Sequence, residues 1–340
     1  MYRRLLLVVL LCLPGFCLAI DEGKRTEQEP AFGETRAERP LIEAYEPNIL
    51  GYRWPNDDVG FIDITVSLKY RLFPEHISLW TCPSGDGCQD RWRAYLGFTG
   101  QWGFYLGTRA SDPVIGKSFN PKLFVRYTPD SSRNSKSFWT KGGHRIYEDW
   151  SYIDLGYAHE SNGQTIDNGA AYALERRLNP DDPEFALDEV SRGWDYVQLA
   201  GKYSFLRSAS DRRLALYADL KYFLTNGPIQ GTPEEYHSFE NDPDAKSRSE
   251  VEGVLAAMEY QWRQDLIRTK KGPVLADPRV MLQFETGYES PFQYHTFRIE
   301  IGATLMELPI ALWYQDGYSS SLARYYKHSS AVGIELRLAE

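Results

Sequence analysis

Apart from its first 19 residues, the chain has no apolar run near the roughly 20 residues that a membrane-spanning helix requires. The mean hydropathy of the whole sequence is low, at -0.47. A helical membrane protein is therefore excluded. The same test does not exclude a membrane β-barrel, because only every second residue of a barrel strand faces lipid.

The chain has no excess of positive charge either. Its 47 Asp and Glu outnumber its 38 Lys and Arg, which gives a formal net charge of -9 and argues against a nucleic-acid partner. Aromatic residues are plentiful instead, at 14% of the sequence. Many of them lie near the ends of the strands predicted below, where a membrane barrel carries its interfacial aromatic girdles.

The N-terminus has the pattern of a secretory signal peptide. Arg3 and Arg4 form a positive start, residues 5–13 an apolar run, and Cys17-Leu18-Ala19 a cleavage site with a small final residue. We therefore predict a signal peptide over residues 1–19. Residues 20–59 begin with a polar, aperiodic stretch and are predicted to be a periplasmic N-terminal segment.

Cysteine is scarce, with four residues in the whole chain. Cys12 and Cys17 leave with the signal peptide, so the mature chain keeps Cys82 and Cys88 in an oxidising compartment. These two flank the turn-rich segment Pro83-Ser84-Gly85-Asp86-Gly87. A local disulfide that staples a loop is expected, rather than redox chemistry.

From residue 60 onward the dominant signal is alternation of apolar and polar residues, which is typical of β-strands. The clearest runs are 61–72, 296–305 and 332–338, and noisier ones lie at 93–106, 119–128, 149–161, 193–206, 212–224, 251–262, 278–288 and 309–317. One apolar face per strand fits a soluble sandwich as well as a barrel. The charges on the opposite face and the aromatic strand ends favour an all-β, transmembrane antiparallel β-barrel over residues 60–340.

Connections between these strands differ greatly in length. The long polar ones cover residues 74–92, 129–148, 164–190 and 226–249. Because outer-membrane barrels have long extracellular loops and short periplasmic turns, we expect all four to lie on the outer side.

The segment 153–163 carries a candidate site. His159 and Ser161 are two residues apart and share one strand face with the apolar residues before them. On the next strand Asp195 shares its face with Val197 and other apolar residues. If the two strands pair as a hairpin, a serine, a histidine and a carboxylate meet on the lipid-facing side, where polar side chains do not add stability.

A serine, a histidine and a carboxylate placed together can act as a nucleophile, a base and an orienting acid. His159 can remove the proton of Ser161, Ser161 can attack an ester carbonyl, and Asp195 can orient the imidazole. A charge on the lipid face costs little near the interface and more at the midplane, so the site is expected at headgroup depth, where acyl esters lie. Asn162 is compatible with two roles, a hydrogen bond to the oxyanion or a turn with Gly163.

These residues resemble the bacterial outer-membrane phospholipase A family. The matching motifs are His159-Glu160-Ser161-Asn162-Gly163, Ser191-Arg192-Gly193-Trp194-Asp195, Glu46-Pro47-Asn48, Ser111-Asp112-Pro113, Asn120-Pro121-Lys122-Leu123-Phe124 and Gly317-Tyr318-Ser319-Ser320-Ser321-Leu322 with Tyr325. They occur in the family's order from about residue 46 to 338. The alternation alone resolves about eleven strands, and the resemblance implies about twelve.

The resemblance further implies a calcium-dependent phospholipase A1/A2 that is active as a homodimer. It would lie in a Gram-negative outer membrane with its active site toward the cell surface, and cleave sn-1 and sn-2 acyl esters of outer-leaflet phospholipids. Ser161 would be the nucleophile and His159 the base. Asp195 stands where the family usually has Asn, and either residue can accept the imidazole N–H.

A calcium site is also implied by the resemblance. Its ligands would be the Ser191 hydroxyl, the Gln164 backbone carbonyl and Ser111 of a second copy. Hard oxygen ligands suit Ca²⁺, which would polarise the ester carbonyl. Residues 165–190 resemble an insertion between the two halves of the motif. Its acidic residues are expected to form a solvated loop face, with a contribution to the calcium ligands as the alternative.

Two other functions compete with the esterase. A catalytically inactive barrel with a structural or lipid-transport role would be expected to lose Ser161 or His159. A pore is disfavoured because about twelve strands leave a narrow interior filled by side chains.

Overall fold

The computed structural model describes residues 41–56, 59–73, 91–105, 114–129, 151–182, 185–207, 212–262, 264–319 and 321–339. The predicted signal peptide, the Cys82–Cys88 pair and Ser111 lie outside these ranges. No helix within them is long or apolar enough to cross a membrane.

The described residues contain fourteen strands and three short helices. The strands are β1 Ile42–Ala44, β2 Asn48–Pro55, β3 Phe61–Arg71, β4 Trp92–Tyr105, β5 Ile115–Tyr127, β6 Tyr152–Ser161, β7 Gly193–Arg207, β8 Arg212–Phe223, β9 Gly253–Trp262, β10 Asp265–Thr269, β11 Gly272–Gly287, β12 His295–Leu305, β13 Leu308–Gly317 and β14 Ser329–Ala339. The helices are α1 Gly169–Leu178, α2 Phe185–Asp188 and α3 Arg248–Val251.

The strands close into one antiparallel barrel. Apart from β1 and β10, each strand pairs with the next one around the wall, β9 pairs with β11, and β14 pairs with β2 to close the barrel. Strand β1 extends β2 along the edge of β3, and β10 extends β9 along β11. The wall therefore has twelve strands, which confirms the predicted all-β transmembrane barrel.

The N-terminal boundary of the barrel predicted at residue 60 is wrong. The wall begins at Ile42, because β1 and β2 fill the gap between β14 and β3. The segment 45–47 separates the two strands and directs the Tyr45 ring onto Phe124, at a centroid distance of 4.9 Å. This interruption also breaks the alternation that would have revealed a strand here.

The two faces of the wall differ as the alternation predicts. Apolar side chains such as Leu123 and Leu312 point outward and are more than half exposed, at 54% and 59%. The interior is filled with ion pairs, among them Arg126–Asp154 at 2.7 Å, Arg213–Glu259 at 2.5 Å and Arg337–Glu300 at 2.5 Å. Pairing offsets the several kcal/mol that each buried charge would otherwise cost.

The prediction that all four long connections share one end of the barrel is wrong. A single strand, β6, separates the connections 128–151 and 162–192, so these must leave at opposite ends. The connection 72–91 leaves at the same end as 128–151, together with the tight turn 306–307 and the C-terminus. Connections 162–192 and 224–252 leave at the other end.

At that other end the connections 162–192 and 224–252 pack against each other. Tyr172 of α1, Leu187 of α2 and Val190 form a buried apolar cluster with Phe239 packed against it. Arg324 binds Asp188 through two hydrogen bonds of 2.9 Å. Residues 165–182 and 185–190 are therefore a folded part of this end. Among the acidic residues expected on a solvated loop face, Asp167 and Asp181 are exposed, whereas Asp188 is buried.

Candidate active site

Strands β6 and β7 bring the three predicted catalytic residues together at their loop ends. The register pairs His159 with Asp195 and Ser161 with Gly193. Further along the same outer face lie exposed apolar residues, such as Leu155 at 58% and Val197 at 40%. The site thus lies on the outside of the wall, near the end that carries the connections 162–192 and 224–252.

The histidine and the aspartate are already in contact. His159 Nδ1 lies 2.8 Å from Asp195 Oδ1, with the Asp195 side chain fully buried and that of His159 14% exposed. Ser161 is half-buried, and none of the hydrogen bonds found within the described ranges involves its hydroxyl. The predicted base and its predicted orienting acid are therefore in contact, while the Ser161 hydroxyl is not hydrogen-bonded to His159. Catalytic hydrogen bonds often tighten only when substrate binds.

The second oxygen of Asp195 has two partners that the sequence did not reveal. Oδ2 accepts hydrogen bonds from the backbone amides of Ile229, at 2.8 Å, and Gln230, at 2.9 Å. Both amides belong to the segment Gly227–Gly231, called here the 227–231 loop, whose two end glycines exchange backbone hydrogen bonds of 2.9 Å. Glycine and proline, as in this loop, are typical of turns, but no local signal places the loop on Asp195.

Close approach explains two glycines at this point. A Cβ atom at Gly227 would overlap the Asp195 carboxylate, and a Cβ at Gly193 would overlap the Gln230 side chain. Because glycine has no Cβ, the 227–231 loop can lie directly on the outer face of β7. The loop therefore covers Asp195 and shields its side chain from solvent.

On the inner side of the wall, an ionic cluster fixes the same two strands. Arg248 of α3 donates to Glu160, at 2.6 Å, and to Glu252, at 2.8 Å, and its guanidinium lies 4.5 Å from the Trp194 ring centroid. Burial alone would lower the pKa of Arg248, but Glu160 and Glu252 raise it above its ordinary value. Glu160 follows His159 in the chain, and Trp194 precedes Asp195. The cluster therefore fixes the positions of these parts of β6 and β7 from the inner side of the wall.

Asn162 has the turn role among the two expected from sequence. Its Nδ2 donates to Val190 O at 2.7 Å, and its Oδ1 accepts from Arg192 N at 2.9 Å. Its side chain thus ties the end of β6 to the start of β7 and is not directed at a substrate. Gly163 follows with a positive φ of 60°, and no hydrogen bond within the described ranges uses its amide.

Two of the three predicted calcium ligands, Ser191 and Gln164, lie in the segments just beyond the ends of β7 and β6. Ser191 N donates to Ile166 O at 2.9 Å, and Gln164 Nε2 donates to Asp188 O at 2.8 Å, so both residues lie where β6 and β7 continue beyond the wall. The Ser191 hydroxyl donates to Glu234 Oε2 at 2.6 Å. Hydroxyl, carbonyl and carboxylate oxygens suit Ca²⁺.

The third predicted ligand, Ser111, lies outside the described residues. Within the described ranges no group of three or more His, Cys, Asp or Glu side chains could hold a metal. A cation here would therefore depend on the hydroxyl, carbonyl and single carboxylate around Ser191.

Comparison with known proteins places this geometry in a structural context. No family model and no curated protein matches the sequence. Among solved structures, an active-site mutant of outer membrane phospholipase A from Escherichia coli is 13% identical, with a TM-score of 0.51, over 90% of this chain and 95% of that one. The barrel has the fold of outer membrane phospholipase A.

Two further solved structures are similar. Another outer membrane phospholipase A from Escherichia coli is 14% identical, with a TM-score of 0.50, over 87% of this chain and 94% of that chain. A Salmonella typhi outer membrane phospholipase dimer with bound calcium is 13% identical, with a TM-score of 0.49, over 88% and 92%. At such low identity the likeness concerns the fold, and the chemistry must be argued from the residues of this chain.

Proposed function

We propose that this protein is a calcium-dependent phospholipase of the bacterial outer membrane that hydrolyses sn-1 and sn-2 acyl esters. The observation that carries the proposal is the 2.8 Å contact between His159 Nδ1 and Asp195 Oδ1, beside Ser161 on the lipid-facing wall. The site lies at the end of the barrel opposite the tight turn 306–307, and we assign it to the cell-surface side, because outer-membrane barrels have their short turns in the periplasm.

The residues of the chain account for each step of ester hydrolysis. Ser161 Oγ attacks the acyl carbonyl as its proton passes to His159, and Asp195 holds the imidazolium in place. Collapse of the tetrahedral adduct returns that proton to the leaving glycerol oxygen, which gives acyl-Ser161 and a lysophospholipid. Water activated by His159 then releases the fatty acid and restores Ser161. We assign stabilisation of the oxyanion to the Gly163 amide, which has no hydrogen-bond partner within the described ranges.

Calcium would be held by the Ser191 hydroxyl and the Gln164 carbonyl, with Ser111 supplied by a second copy in an active homodimer. When bound, the ion would stabilise negative charge on the ester oxygen. The Glu234 carboxylate fits this assignment, because it already accepts the Ser191 hydroxyl at 2.6 Å and adds negative charge to the site.

A catalytically inactive barrel with a structural or lipid-transport role is the alternative. The observation that favours it is the absence of a hydrogen bond between Ser161 and His159 within the described ranges. The two proposals differ in whether the serine reacts.

The test is phospholipid hydrolysis by the mature chain refolded in detergent, with calcium or with a chelator. We expect calcium-dependent release of fatty acid, and a loss of at least about 1,000-fold in Ser161→Ala, since removal of a triad nucleophile has effects of this order. A folded barrel that releases no fatty acid would support the inactive alternative. Activity that survives Ser161→Ala would refute the triad.

A further inference from the structure

The 227–231 loop interrupts a strand that would otherwise run straight. In the register of β7 with β8, Phe223 pairs with Tyr196, so an uninterrupted strand would place residue 226 opposite Gly193. Instead Glu234 pairs with Gly193. Residues 226–233 are therefore an excursion from the sheet, and this excursion folds back over the outer face at Asp195.

The excursion contacts the side-chain carboxylate of Asp195. The two amides that it points at Asp195 Oδ2 are hydrogen-bond donors and cannot accept. His159 takes the other oxygen, Oδ1. A carboxylate satisfies all three donors at once. An asparagine that accepts from His159 would direct its own NH₂ group at the two amides, donor against donor.

We propose that the 227–231 loop is a positioning element that accepts only a carboxylate at residue 195, and so makes Asp195 obligatory in this chain. The proposal rests on the esterase function for its catalytic consequence. The loop holds the carboxylate in one orientation through two charge-assisted hydrogen bonds, which are about twice as strong as neutral ones. The imidazole of His159 is thereby fixed through Asp195.

The contact between the 227–231 loop and Asp195 explains why this chain has Asp where the outer-membrane phospholipase A family usually has Asn. With only the histidine as partner, Asn and Asp are interchangeable as acceptors of the imidazole N–H. The loop removes that equivalence, because it presents two further donors and excludes water from the fully buried side chain. An unsatisfied or opposed buried donor costs about 1–3 kcal/mol.

The register of the sheet defines a deletion that tests the proposal. Deletion of residues 226–233 joins Thr225 to Glu234 in register with β7 and leaves His159, Asp195 and Glu234 in place. The four proteins to compare are the full chain and the deletion variant, each with Asp195 and with Asp195→Asn. Asp181→Asn, the same chemical change at an exposed position, is the control and leaves both readouts unchanged.

In the full chain, Asp195→Asn is expected to lower kcat by roughly 100-fold or more, the order of effect known for a mispositioned catalytic histidine. In the deletion variant the same substitution should change kcat by less than about threefold, because the opposing donors are gone. An equal effect in both backgrounds, or tolerance of Asn in the full chain, would overturn the proposal.

A second readout separates this proposal from the esterase function. Asp195→Asn should lower the melting temperature and speed proteolysis at residues 226–233 in the full chain, and should leave the melting temperature of the deletion variant unchanged. These changes do not need catalysis, so they stand even if the protein releases no fatty acid. Unchanged stability of the full chain would contradict the loop's preference for a carboxylate.

Discussion

At the scale of single residues, the hydrogen-bond inventory of one side chain decides what residue 195 can be. Asp195 faces three donors, one from His159 and two from the 227–231 loop, and a carboxylate is the one group of that size that can accept all of them. Toward His159 alone, either Asp or Asn can accept the imidazole N–H, and in that one respect the two are equivalent. The two backbone donors remove that equivalence.

Glu234 allows a prediction at the same scale. Glu234→Gln removes a charge but keeps an acceptor for the Ser191 hydroxyl, so calcium binding should weaken by roughly 10–100-fold, as it does when a partner of a metal ligand is lost. Calorimetric titration of the refolded protein with Ca²⁺ measures this without substrate. Asp167→Asn removes the same charge from an exposed position in the 162–192 connection and serves as the control. Equal affinities in the two variants would exclude Glu234 from the site.

At the scale of elements, the connection 162–192 behaves as a small folded unit attached to the barrel mouth. Helix α1 begins at its N-cap Asn168, whose side chain accepts from Ala171 N at 2.9 Å, and buries Tyr172 against Phe239. Phe239 belongs to the 224–252 connection, so this contact joins the two segments that flank the active site. Their order depends on such apolar contacts together with polar ones between the two segments, such as Arg192–Glu240 at 2.7 Å and Ser191–Glu234 at 2.6 Å.

Tyr172→Ala tests this dependence. Loss of a buried aromatic side chain costs about 3–5 kcal/mol, and here the cost should fall on local opening of residues 162–192 while the barrel remains folded. Limited proteolysis of this segment should accelerate. Leu174→Ala, on the exposed face of the same helix, is the matched control and should leave cleavage rates unchanged. Global unfolding by Tyr172→Ala would show that the unit is not separable from the barrel.

At the scale of the whole molecule, closure of the barrel depends on its first strands. Strand β2 pairs with β14 on one side and β3 on the other, so it joins the two ends of the sheet. Without it both edges would face lipid with unpaired backbone groups, each of which costs several kcal/mol there.

Truncation tests the role of these strands. A chain that begins at Leu41 should refold into a barrel that migrates faster on a gel before heating than after it. A chain that begins at Gly60 should not, because it lacks β1 and β2. Equal refolding of both chains would mean that the wall can close without these strands, as the sequence-based boundary at residue 60 assumed.

The sequence by itself determined the eleven wall strands from β3 onward, though not β10 Asp265–Thr269, and the outward face of His159, Ser161 and Asp195. Alternation with period two is a local property, and each strand reveals its own faces through it. The expectations for Ser191 and Gln164 came instead from the resemblance to the outer-membrane phospholipase A family, because alternation carries no signal for a metal ligand.

The tertiary structure alone decided what depends on residues far apart in the chain. It placed β2 between β14 and β3, set the long connections at both ends of the barrel, and brought the 227–231 loop onto Asp195. None of these has a periodic signal, because a backbone amide has the same sequence signature whether it binds water or a buried carboxylate. Only closure of the barrel fixes where such a loop lands.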